Sequence, residues 1–280
     1  MTKIYKGADT FYFETAEKVC RVPGFSMDKL FQAESPDAVI QEALDAAEHC
    51  GGAGFLPNGG AWEAPIADQE VWAAGVTYFR SRTARMEESE NSGGDRFYDM
   101  VYEAERPELF FKATAARTRG HLANVCIRQD STWDVPEPEL TLAINSHGKV
   151  FGYTIGNDMS SRSIEGENPL YLPQAKVYTG SCAIGPCLVV GENAITPEST
   201  IAITIERGGT EVFAGDIQVA QIKRGFDELA GFLFRDNEFP NGAYLMTGTG
   251  VVPDSGFTLQ SGDRISITVD AIGTLINTVE

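Results

Sequence analysis

The clearest alternation of apolar and polar positions runs from Glu137 to Asp158, EPELTLAINSHGKVFGYTIGND. On an extended chain Leu140, Leu142 and Ile144 fall on one face, and Glu137 and Glu139 on the other, about 7 Å apart at the usual rise per residue. Ser146-His147-Gly148-Lys149 has the composition of a turn, so the stretch predicts a hairpin with strands Glu137–Asn145 and Val150–Asp158. With Asn145 paired to Val150, Glu137 lies opposite Asp158 and Glu139 opposite Gly156, and cross-strand partners point to the same side. Three carboxylates then converge beside a glycine that leaves room for them. A slip of one residue would undo this, because every side chain would change face.

Elsewhere the pattern moves between the helical and the extended period. Ser35-Pro36 opens a helix in which Val39, Ile40, Ala43, Leu44 and Ala47 recur at helical spacing; Cys50-Gly51-Gly52 closes it, with His49 inside it. LPNGGAWEAP reads as a connection into the main body. From Val71, VWAAGVTYF predicts a buried strand, residues 80–102 a polar helix and a glycine-containing loop of the kind that covers sites, and ELFFKA extended structure. The hairpin is followed by a loop of turn residues, SRSIEGENP, and by apolar strand up to Val190. IAITIERGGTEVF predicts a second hairpin around Arg207-Gly208-Gly209-Thr210. Ile222, Phe226, Leu229 and Leu233 mark one face of an amphipathic helix that stops before Pro240, and extended runs around Phe257–Leu259 and Arg264–Val269 finish the chain. The expected class is α+β, with a small N-terminal cap domain over residues 1–65 and a β-rich main domain over 66–280.

The chain's 280 residues are enough to bury a substantial core. A formal charge of −18 and a pI near 4.5 repel phosphate at long range, which argues against nucleic acid or an anionic membrane as partner. A small anionic substrate would need a metal or local cations to hold it. No apolar run approaches the roughly 18 residues of a membrane span. MTKIYKGADTFYF lacks the apolar core and cleavage site of a secretory signal. Cys20, Cys50, Cys126, Cys182 and Cys187 are scattered and odd in number, as expected of reduced thiols in a cytoplasmic protein, and Cys182 and Cys187 read as packing residues.

Three carboxylates at one spot repel by roughly 3 kcal/mol per pair at about 5 Å and an effective dielectric of ~20, so a cation belongs there. Only oxygen donors are present, which favours a hard ion, Mg²⁺ first and Mn²⁺ or Ca²⁺ next, over zinc. Lys176 is the only charged side chain between Asn168 and Gly191; burial favours its neutral form and nearby carboxylates its charged form, so it is a candidate base or a cationic partner for an anion. Glu108 leads directly into an apolar strand, a setting that suits proton transfer. Thr247-Gly248-Thr249-Gly250 offers hydroxyls and open backbone N–H groups for a carboxylate. Of the histidines, His147 sits in the turn remote from the carboxylates, His49 in the N-terminal helix, and His121 is unassigned.

In order along residues 70–280, the residues resemble the fumarylacetoacetate hydrolase superfamily: GVTY at 75–78, PELFFK at 107–112, Glu137-x-Glu139, GYTIGNDMSSR at 152–162, Lys176 followed by Gly185-Pro186, and Gly248-Thr249-Gly250. The resemblance implies a mixed β-roll body that carries the catalysis, a Mg²⁺ held by Glu137, Glu139 and Asp158, a catalytic or substrate-holding Lys176, substrate contacts from Ser81, Arg162 and Thr249, and a homodimer or homotetramer. Departures from the family pattern narrow this. The Tyr-x-x-His of the hydrolases becomes Tyr78-Phe79-Arg80-Ser81, Gly-Thr-Pro-x-Gly is shortened to Gly248-Thr249-Gly250, and Lys-x-x-Asp ends in Thr179. These features are more similar to the branch that dehydrates 2-keto-3-deoxy sugar acids such as 2-keto-3-deoxy-D-arabinonate, in which the position of Glu108 is the acid-base carboxyl. The expected reaction is a Mg²⁺-dependent dehydration of a small anionic 2-keto acid through a metal-stabilised enolate, with Lys176 and Glu108 sharing proton transfer in either order. The alternatives are hydrolysis of a C–C bond in an acylpyruvate or another 1,3-diketo acid, and a metal-stabilised binding protein without turnover.

Overall fold

The computed structural model describes residues 1–54, 60–78, 100–191 and 193–280. The expected polar helix and loop after Phe79 fall almost entirely outside them, as does Ser81. The strands in chain order are β1 (Thr2–Lys6), β2 (Phe11–Glu14), β3 (Lys18–Val22), β4 (Glu48–Gly52), β5 (Glu70–Gly75), β6 (Glu108–Thr114), β7 (Thr118–Arg119) and β8 (Asn124–Val125). There follow β9 (Asp134–Ile144), β10 (Val150–Ser161), β11 (Cys182–Val190), β12 (Thr200–Arg207), β13 (Thr210–Gln218), β14 (Ala243–Met246), β15 (Arg264–Val269) and β16 (Gly273–Val279). They form an eleven-stranded mixed sheet in the order β4-β3-β2-β1-β11-β10-β9-β14-β5-β6, with β7 on β11, and a five-stranded sheet in the order β13-β12-β15-β16-β8. The body is thus strand-rich with few helices, as expected for the α+β class. No helix among the described residues is long and apolar enough to cross a membrane.

The hairpin lies at the centre of the large sheet. Its apolar face is covered twice: Leu140 packs with Ile155 and Met159 against the small sheet, whereas Leu142 and Ile144 lie under the helix Phe226–Leu233. Burying three such side chains contributes about 5–9 kcal/mol at ~1.5–3 each, and a one-residue slip would exchange them with the carboxylates. The opposite face of the sheet is closed by Met27, Leu30, Phe31 and Ile40 from the helices Met27–Gln32 and Pro36–Asp45. These helices belong to residues 1–65, whose strands extend the large sheet through the antiparallel β1–β11 ladder.

Several local expectations need correction. The helix opened by Pro36 ends at Asp45, and Glu48–Gly52 is a strand paired to β3, so His49 is a strand residue. Apolar spacing overran the helix end because Ala47 and Cys50 also suit an extended chain. SRSIEGENP contains the short helix Arg162–Glu167. The C-terminal helix begins at Phe226 rather than Ile222, which follows a 3₁₀ turn over Val219–Gln221. Phe257–Leu259 is not a strand, although Leu259 N–H bonds the Asp134 carbonyl, and β16, which pairs with β15, was not anticipated.

Residues 62–64 run directly over Gly120. A Cβ on Gly120 would stand 2.5 Å from Ala64 N and 2.6 Å from Trp62 O, and backbone atoms cannot swing aside. Gly120→Ala is therefore expected to destabilise the protein by about 1–3 kcal/mol through overpacking, read as a lowered denaturant midpoint at unchanged slope; an unchanged midpoint would contradict this packing.

Candidate metal centre

The β9–β10 ladder sets Glu137 opposite Asp158 and Glu139 opposite Gly156. It reaches this register differently from the simple expectation: Val150 pairs with Ile144, not Asn145, and Phe151 is then bulged out before Gly152 pairs with Ala143. The bulged Phe151 packs edge-on against Phe31, 4.9 Å between ring centroids, so the correction is built into the core. All three carboxylates are buried, and each offers an oxygen within 4.8 Å of the others.

Cations surround this cluster. Lys176, at the end of the short helix Leu172–Lys176, is fully buried, and its Nζ donates to Glu137 Oε2 (2.6 Å), Asp158 Oδ2 (3.0 Å) and Ser160 Oγ (2.5 Å). Arg162, at the start of the helix Arg162–Glu167, pairs through Nη2 with Glu137 Oε1 at 2.5 Å and lies 3.9 Å from Glu165. A further lysine was missed from sequence: Lys112, in β6, is 2.5 Å from Asp158 Oδ1. It stood in the PELFFK string, but β6 alone does not reveal which way a lysine at that position turns.

The glycine-rich turn after β14 binds a carboxylate of the chain itself, because Gly248 N–H donates to Glu139 Oε2 at 2.6 Å. Thr77 Oγ1 donates to the Thr247 carbonyl at 2.7 Å and fills the space a Cβ on Gly248 would need, 2.0 Å away. Thr249 lines the cavity beside the carboxylates, along with Gly75, Val76, Phe110, Arg162 and Lys176, and its hydroxyl donates to the Val251 carbonyl at 3.1 Å. Glu108 stands at the edge of this group. It pairs across the ladder with Gly75, and its Oε2 lies 1.9 Å from where a Gly75 Cβ would be, so only glycine admits the carboxyl there.

Asp158 and Glu139 sit in opposite electrostatic situations. Burial resists ionisation of Asp158, but the Lys112 and Lys176 ammoniums overcome it and hold the carboxyl below its usual range. Burial pushes Glu139 well above the usual range, and the charges of Asp158 and Glu137 push it further, against Lys176 and the Gly248 N–H. Among the described residues Glu139 has no ion pair. The cluster is therefore short of positive charge on the Glu139 side, where three hard oxygen donors converge, and this fits a divalent ion of the Mg²⁺ type.

A Glu139 carboxyl that holds its proton in the metal-free site must ionise to become a ligand. In the raised Glu139 range Mg²⁺ binding is expected to release a proton, and affinity to fall as pH drops through that range. Calorimetry in buffers of different ionisation enthalpy measures this: heats that scale with the buffer bear it out, and identical heats contradict it.

Residues 85–280 match the family model described as fumarylacetoacetate (FAA) hydrolase C-terminal. The chain is 43% identical over 273 residues to a probable 2-keto-3-deoxyxylonate dehydratase of Haloferax volcanii, covering 97% of this chain and 89% of that one. It is also 43% identical over 218 residues to a 2-dehydro-3-deoxy-D-arabinonate dehydratase of Saccharolobus solfataricus, covering 77% of this chain and 73% of the relative. A solved structure of 2-keto-3-deoxy-D-arabinonate dehydratase complexed with magnesium and 2,5-dioxopentanoate superposes with a TM-score of 0.79 at 32% identity, over 100% of this chain and 98% of that one. With the family model matched over residues 85–280 and the fold shared with a solved dehydratase, the chain belongs to the fumarylacetoacetate hydrolase family.

Proposed function

We propose that the protein is a Mg²⁺-dependent hydro-lyase that removes water from a 2-keto-3-deoxy sugar acid. The observation that carries this reading is the buried trio Glu137, Glu139 and Asp158, bridged from one side by Lys176 and open on the other to a cavity lined by Arg162 and Thr249. Relatives at 43% identity that are named as dehydratases of such acids support it. A bound Mg²⁺ supplies Lewis-acid stabilisation of the negative charge that develops on a 2-keto acid when a C3 proton leaves.

The chain's own residues do the rest. Glu137, Glu139 and Asp158 hold the ion, and Arg162 and Thr249 orient the substrate carboxylate, with Ser81 as a further substrate contact. Lys176 directs its three N–H bonds at Glu137, Asp158 and Ser160, so as an ammonium it has no lone pair to take a proton. It acts as a fixed positive charge that stabilises the developing anion. Glu108, held over Gly75, carries the proton: its carboxylate takes one from C3, and its carboxyl returns one to the hydroxyl that leaves C4 as water. From a five-carbon acid, loss of one water, a hydrogen shift from C5 to C3 and ketonisation of the resulting C4–C5 enol, whose hydroxyl proton passes to C4, give 2,5-dioxopentanoate, the compound bound in the related magnesium complex. In the cell the protein acts in the cytoplasm as a homodimer or homotetramer.

The deciding experiment incubates the Mg²⁺-loaded protein with a 2-keto-3-deoxy pentonate and, separately, with an acylpyruvate. Semialdehyde formation from the first is expected; loss of diketone absorbance from the second alone would replace the dehydratase with a C–C hydrolase. Melting shifts with Mg²⁺ and no turnover of either would leave a binding protein. Glu108→Gln should lower kcat by about 10²–10⁴-fold with Mg²⁺ affinity retained, and Gly75→Ala should lower it through displacement of the same carboxyl. Wild-type kcat in Glu108→Gln would remove Glu108 from the chemistry.

A further inference from the structure

Lys112 is fully buried yet does not line the cavity beside the carboxylates. Its ammonium pairs with Asp158 Oδ1 at 2.5 Å and donates to the carbonyls of Met159 (3.0 Å) and Lys176 (2.6 Å). The two carbonyl acceptors and the Asp158 counter-ion commit this ammonium within the protein. Those acceptors come from two other elements. Asp158 and Met159 lie on β10, and the Lys176 carbonyl ends the short helix whose last side chain reaches into the carboxylate cluster. Lys112 itself comes from β6, the strand that begins with Glu108. One side chain therefore ties together the three elements that bring Glu108, Asp158 and Lys176 to the site.

The backbone is shaped for this. In the β5–β6 ladder Val71 faces Ala113 and Trp72 faces Phe111, which leaves Lys112 as the extra residue of a β-bulge. Bulges re-aim a side chain at the expense of ladder pairing, and they concentrate beside active sites. A buried ammonium is also costly unless every donor is met, so this residue type is a poor choice for filling space.

Granted the reaction centre proposed above, we infer that Lys112 is its positioning residue: it fixes where Asp158 and Lys176 stand relative to each other, and so sets the third metal ligand against the lysine Nζ. It touches neither the ion nor the substrate and acts through these two residues. A counter-ion serving stability alone would leave the geometry of a folded variant's site unchanged.

Lys112→Met keeps the apolar stem and removes the charge and donors. Lys112→Arg keeps the charge, but its planar fork cannot address the same three acceptors. Each folded variant is expected to bind Mg²⁺ about 10–100-fold more weakly by calorimetry, as when a residue supporting a metal ligand is lost. At saturating Mg²⁺ kcat should fall on the order of 10²-fold, the effect of a ~1 Å misplacement, while KM for the 2-keto acid stays within about 3-fold. Wild-type Mg²⁺ affinity and kcat in either folded variant would overturn the inference. Because either variant can fail to fold, a second measurement uses the unaltered protein with ¹⁵N-labelled lysine. The Lys112 ammonium should give a slowly exchanging NMR signal without metal that stays in place through a Mg²⁺ titration, while the Lys176 signal moves. Fast exchange of the Lys112 signal, or its displacement by Mg²⁺, would overturn the inference whatever the substrate proves to be.

Discussion

The antiparallel pairing of β9 with β10 is the constraint on which the rest depends. Cross-strand neighbours share a face, so the register that sets Glu137 against Asp158 also buries Leu140, Leu142 and Ile144 on the far side. The apolar face and the acidic face are thus specified by the same alignment, and neither can be lost without the other. Hydrophobic burial on one side holds in place an arrangement of charges that would repel itself in isolation.

The site manages that repulsion unevenly. Two lysines and an arginine attend Glu137 and Asp158, whereas Glu139 is met by one backbone N–H from the turn after β14. The imbalance separates the carboxylates into two that are already compensated and one that invites a cation. Lys176 and Lys112 take different parts in this. The first enters the cavity wall, and the second stays behind it, bonded to the carbonyls of Met159 and Lys176.

How much of this was legible in the sequence depended on whether the signal was local. Strict alternation along Glu137–Asp158 was enough to foresee the shared face of Glu137, Glu139 and Asp158, because period-2 patterning and a turn fix a hairpin to within a residue. The remaining residue was decided by the bulge at Phe151, which follows from packing on Phe31, 120 positions earlier in the chain, and leaves no local mark. Lys112 was invisible for the same reason: its orientation comes from a bulge against Val71 and Trp72, and its partners lie on β10 and at the end of a short helix. The helix Arg162–Glu167 was obscured by serine and glycine, which suit turns equally well. Periodicity carried His49 into a helix although its neighbours pair as strand β4 with β3. Gly75 illustrates the same limit, since its need to be glycine is set by Glu108, a residue 33 positions away in sequence and directly across the ladder.

The central claim is that side chains from both arms of one hairpin grip a single divalent ion. Anomalous diffraction from crystals grown with Mn²⁺, a hard ion that takes the same oxygen donors as Mg²⁺, tests it most directly. One strong peak within ligand distance of Glu137, Glu139 and Asp158, with coordination positions left for a 2-keto acid, is the predicted result. A peak elsewhere on the molecule, or none among these three carboxylates at saturating metal, would contradict the account.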